Sequence, residues 1–168
     1  MNHILSYKFF LNENEKLIFG HKYDDLLTNI SNKESGLGHD QIEDARESLD
    51  YKIEQLYEIQ KESYIQLYRV IFSKKKEDID LNNIGNHFVS DVSDFHDDMI
   101  DYLYYNAKNI NNDIEEHDLW LIQIEANTKD VDYYETILTY SLHPNEDEIT
   151  LKNTSNIKII NISKYFED

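Results

Sequence analysis

A chain of 168 residues with 34 Asp and Glu against 16 Lys and Arg carries a formal charge of −18. Such a surface repels nucleic-acid phosphate and anionic lipid, so neither direct nucleic-acid binding nor membrane docking is expected. With 40% hydrophobic residues, one Pro and four Gly the chain is too apolar for wholesale disorder, and the lack of Cys excludes disulfides, thiolate metal sites and a cysteine nucleophile.

No run approaches the roughly 20 apolar residues that span a bilayer, and residues 1–20 lack the basic flank and long apolar core of a signal peptide. A cytoplasmic protein forming a single domain over residues 1–168 is expected. Residues 1–30 contain two short apolar runs, Ile4–Leu11 and Leu17–Phe19, read as strand or short helix. Between His39 and Tyr64 there is no Gly or Pro, and Ile42, Ala45, Leu49, Ile53, Leu56, Tyr57 and Tyr64 recur at three- and four-residue spacings. That spacing predicts an amphipathic helix packed on the strands, with Glu43, Asp44, Arg46, Glu47, Asp50, Glu54 and Glu58 on its solvated face.

Gln66–Phe72, rich in β-branched and aromatic residues, predicts a strand, followed by a charged loop over Ser73–Leu81. Ile84–Ser90 is a second strand candidate, Phe95–Ala107 a helix, and Leu119–Glu125 a third strand. After a turn at Asn127–Asp130, three more strands are expected at Tyr134–Leu142, Glu148–Leu151 and Ile157–Ile162. The class is therefore α+β: a mainly helical part over residues 1–65, then a mostly antiparallel sheet over 66–168.

Three constellations carry chemistry. Arg69 is one of only two arginines, the other being Arg46, and it lies in an apolar strand. A guanidinium there either pairs with a carboxylate or holds a planar or phosphorylated ligand. Glu146 and Glu148 flank Asp147, and if a strand begins at Glu146 the two glutamates share one side, where mutual repulsion raises at least one pKa. In Gly85–Asp91, strand alternation puts His87 and Val89 on one side, Phe88 and Ser90 on the other. The His-Asp pairs at 39–40, 96–97 and 117–118 invite a metal phosphohydrolase reading. Such sites need a helix-borne pair with further ligands at defined positions, and two of the three pairs fall in loops or at a helix edge, so no metal is expected.

The order of these motifs resembles the mono-ADP-ribosyltransferases, particularly the small enzymes of tailed phages and bacteria. The resemblance spans residues 66–162 and rests on an aromatic-Arg strand at Tyr68-Arg69, a segment with His87, Phe88 and Ser90, and the Glu146-Asp147-Glu148 motif. It implies an ADP-ribosyltransferase-like fold and a reaction that moves ADP-ribose from NAD to an acceptor, in the host cytoplasm if the chain is phage-encoded. It also implies that Arg69, His87, Phe88 and Ser90 contact NAD, that Glu148 is the catalytic carboxylate and that Glu146 orients or deprotonates the acceptor. The family's Arg branch carries a Ser-Thr-Ser run where this chain has His87-Phe88-Val89-Ser90, and the branch with His in place of Arg lacks the Glu-x-Glu. The three motifs are expected on neighbouring strands around a single concave site.

A second reading starts from the charge alone. An acidic helix face can imitate the phosphate array of DNA and occupy the basic cleft of a nucleic-acid enzyme as a non-enzymatic inhibitor. On either reading the expected partner is a protein with a basic surface.

Overall fold

The computed structural model describes residues 16–33, 39–95, 100–101, 104–105, 108 and 117–165. The run Ile4–Leu11 and most of the expected helix at Phe95–Ala107 lie outside the described residues, although residues 100, 101, 104, 105 and 108 are helical. Among the described residues the architecture is α+β: a two-stranded hairpin, three helices and a five-stranded antiparallel sheet.

The hairpin pairs β1 (Leu17–Ile18) with β2 (His21–Lys22) around Phe19 and Gly20, whose φ values of 47° and 90° are both left-handed. Two-residue hairpins favour this geometry because its twist matches that of the strands. Gly20 adopts it freely, whereas Phe19 is held there by its ring, 5.1 Å from Tyr57 and 5.5 Å from Tyr133.

Helices α1 (Tyr23–Lys33) and α2 (His39–Lys61) follow. The apolar spacing of α2 does its predicted work at Ala45, Leu49, Ile53 and Leu56, all buried. Ile42 and Tyr57 are exposed instead, and Tyr64 lies beyond the helix, at the exposed start of a strand. The buried face packs mainly against Leu26 and Ile30 of α1 and against Ile137 and Tyr140, so α2 sits in a helical core rather than directly on the strands as expected. Ile59 near its end reaches the sheet core. Ile53→Ala is expected to lower stability by about 2–5 kcal/mol, because its side chain is 5% exposed and leaves a cavity between helices. Urea unfolding checks this, and a loss below about 0.5 kcal/mol would contradict that packing.

The segment Tyr134–Leu142, expected as a strand, is helix α3 (Tyr133–Leu142). Asp132 caps it by accepting from the Glu135 N–H at 3.1 Å, an Asp-x-x-Glu start that favours a helix over the β-propensity of its Tyr, Thr and Ile residues. Its buried residues Thr136, Ile137, Tyr140 and Ser141 follow helical periodicity.

The sheet comprises β3 (Tyr64–Ser73), β4 (His87–Val89), β5 (Asp118–Asn127), β6 (Glu148–Thr150) and β7 (Lys158–Lys164), in the order β6-β4-β3-β5-β7. Ten paired positions join β3 and β5, making them the sheet's backbone. Leu67, Ile122, Ile124 and Ala126 form a core with Phe88 and Ile149, joined by Ile59 and Tyr133 from the helices. Val70, Val89, Phe95 and Ile100 form a second core on the other side. No helix among the described residues is long and apolar enough to cross a membrane.

Candidate functional site

Strands β3, β4 and β6 are neighbours, so Arg69, His87–Ser90 and Glu148 come together although Arg69 and Glu148 are 79 positions apart in sequence. Tyr68 is paired with Val89, and Val89 in turn with Glu148. Paired residues project to the same side, so Tyr68, His87, Val89 and Glu148 belong to one side and Arg69, Phe88 and Ile149 to the other. The expected single concave wall is thereby corrected: Arg69 does not share the side of Glu148. Seeing this requires the register of three strands, which no single motif contains.

Glu148 is 21% exposed, and its Oε2 lies 3.3 Å from Nδ1 of His87, itself 39% exposed. The Thr150 hydroxyl is also 3.3 Å from that nitrogen. Burial pushes the Glu148 carboxyl above its ordinary pKa, and the charge of Glu146 adds to the rise. His87, Arg69 and His143 oppose it. Glu148 is thus a carboxyl held between water and the protein interior, with the Arg69 guanidinium and two histidines near it. Glu146 precedes the strand instead of opening it: its N–H donates to the His143 carbonyl at 2.9 Å, and its own carbonyl accepts from the Glu148 N–H at 2.7 Å. An open cleft of about 230 Å³ begins there, lined by Lys33, Leu142, His143, Pro144, Asn145 and Glu146.

Arg69 is held from several directions. Its Nη1 donates to the His87 carbonyl at 2.5 Å, and its guanidinium lies over the Phe88 ring at 5.9 Å from the centroid. Gly85 has a φ of 77° and touches the guanidinium so closely that a Cβ there would stand 2.9 Å from Nη2. Burial lowers the Arg69 pKa, and the attraction of Glu148 works against that fall. The guanidinium makes no direct ion pair with Glu148 among the described residues, and its Nε is buried without a hydrogen-bond partner. Phe88 is 1% exposed, and Ser90 receives a hydrogen bond from the Gln55 amide at 3.4 Å.

Sequence reasoning missed Lys52. It is wholly buried and forms an ion pair with Asp147, the residue between the two glutamates. The signal was present, because Lys52 falls on the apolar stripe of α2, three residues after Leu49 and four before Leu56. Among the described residues no group of three or more His, Asp or Glu is arranged to hold a metal ion. No protein-family model, no curated protein and no solved structure matches this chain.

Proposed function

We propose that the chain transfers ADP-ribose from NAD to a protein acceptor with a basic surface, in the manner of the mono-ADP-ribosyltransferases. One observation carries this reading: adjacent strands bring Glu148, a half-buried carboxyl with a raised pKa, beside His87 and into the field of Arg69. Breaking the nicotinamide–ribose bond develops positive charge on the ribose, and an ionised carboxylate poised beside it stabilises that charge as it grows. Glu148 supplies the carboxylate, and His87 orients it. Glu146, at the mouth of the cleft, takes the proton that the acceptor loses as it bonds to the ribose carbon.

The residues fit NAD unevenly. Glu148 and His87 are partly open to a ligand, whereas Phe88 is sealed in the core and Arg69 is engaged by the His87 carbonyl. Phe88 and Arg69 therefore brace β4 and set the local charge, and direct contact falls to His87, Glu148 and Glu146. Calorimetric titration with NAD tests the proposal: heat of binding is expected at or below millimolar ligand, unchanged when Glu47, Asp50 and Glu54 are all replaced by Gln. No heat at millimolar NAD would oppose it.

The acidic-decoy reading draws on a separate observation. Glu43, Asp44, Glu47, Asp50, Glu54 and Glu58 are all exposed along α2, opposite its buried face. On that reading the same triple substitution abolishes a salt-sensitive complex with a basic protein while NAD gives no signal.

A further inference from the structure

From the buried pair between Lys52 and Asp147 we infer that Lys52 is a positioning residue for the Glu146–Glu148 motif, tying it to helix α2. Lys52 is 0% exposed, an environment that an ammonium tolerates only when its charge is met. Its Nζ bonds the Asp147 carboxylate and lies 5.5 Å from the centre of the Tyr140 ring on α3. Tyr140 in turn meets Ser48, one helical turn before Lys52, through its hydroxyl. One side of α2 and the end of α3 therefore grip the chain at the point where it enters β6.

Chain geometry converts this grip into orientation. Successive side chains of an extended segment alternate, so drawing Asp147 inward turns Glu148 away from the helix and towards His87. A second tether acts at the same end of the pairing, on the facing strand: Gln55, three residues after Lys52, donates to Ser90 just past β4, next to Val89, which pairs with Glu148. The register in which Val89 faces Glu148 is thus held on both strands by neighbouring turns of one helix. Because Lys52 is matched by Asp147, it fixes the motif without cancelling the charge of Glu148, which a reaction at an electron-poor ribose requires.

The double substitution Lys52→Met with Asp147→Asn removes the pair without changing the local net charge, so electrostatics alone leave Glu148 unmoved. Positioning predicts otherwise. In NMR spectra of the folded variant, the nuclear Overhauser contact between the His87 ring and the Glu148 side chain is lost, and the Glu148 titration drops towards the ordinary carboxyl value as water reaches it. An unchanged contact and an unchanged titration would overturn the inference, leaving the pair a packing feature. Should the double variant not fold, Asp147→Ala alone, at a position 30% exposed, is read by the His87–Glu148 contact only, because its titration would also feel the charge left on Lys52. Failure of both to fold would also overturn it, in favour of a purely architectural pair. The activity arm rests on the transferase reading: nicotinamide release falls at least tenfold in kcat with KM little changed. Because the NMR arms need no NAD, loss of the transferase reading and loss of the positioning role remain distinguishable.

Discussion

Glu148→Gln is expected to slow nicotinamide release from NAD by about 100- to 1,000-fold while leaving the fold intact, the scale seen when one electrostatic contact to a transition state is removed. Gln keeps the shape of the side chain and its reach to His87, but it carries no charge to oppose the positive ribose. A stability change accompanies the loss. Burial raises the folded carboxyl's pKa, so the native state keeps a proton over a pH range in which the unfolded chain has released it. Wild-type stability therefore falls as pH rises from the ordinary carboxyl value towards neutrality. The substitution removes this penalty, so the variant is expected to be the more stable protein at pH 7, with the advantage fading as pH falls towards the ordinary carboxyl value of about 4. Denaturant unfolding at several pH values measures this. A variant less stable at pH 7, or equally active, would contradict the role given to Glu148.

Phe88→Ala is expected to cost about 3–5 kcal/mol, the range for deleting a fully buried aromatic side chain. Phe88 lies in the core with Leu67, Ile122 and Ile149 and carries the Arg69 guanidinium over its ring. Its loss opens a cavity beneath a half-buried cation. Strand β4 has only three residues and meets β3 at one paired position, so on that side its hold leans on this ring, with β6 pairing it on the other. Urea unfolding is expected to show a lowered midpoint, and a cost below about 1 kcal/mol would mean that the ring is not part of this core.

Much of the fold is legible in the sequence because it obeys local periodicity. Ala45, Leu49, Ile53 and Leu56 repeat with the helical period and are buried, and the apolar runs of β3 and β5 become the sheet's centre. Helix α3 is not legible from propensity: Tyr, Thr and Ile favour strands, and the decisive element is a single cap at Asp132. The β1–β2 turn is equally hidden, because Phe19 adopts a left-handed conformation that only its aromatic neighbours explain. In the candidate site, the order of the motifs anticipates that Arg69, His87 and Glu148 lie on neighbouring strands. Their sides of the sheet, and the hold of Lys52 on Asp147, depend on register and tertiary contact, which strand-by-strand reading cannot supply.

The central claim is that the carboxylate at Glu148 serves the cleavage of NAD, and proton NMR of the wild-type protein incubated with millimolar NAD tests it most directly. Free nicotinamide is expected to accumulate in proportion to protein concentration, faster when a basic protein acceptor is present, and to stop accumulating with Glu148→Gln. NAD that stays intact over a day with folded wild-type protein and acceptor would contradict the claim and leave the acidic face of α2 as the working surface.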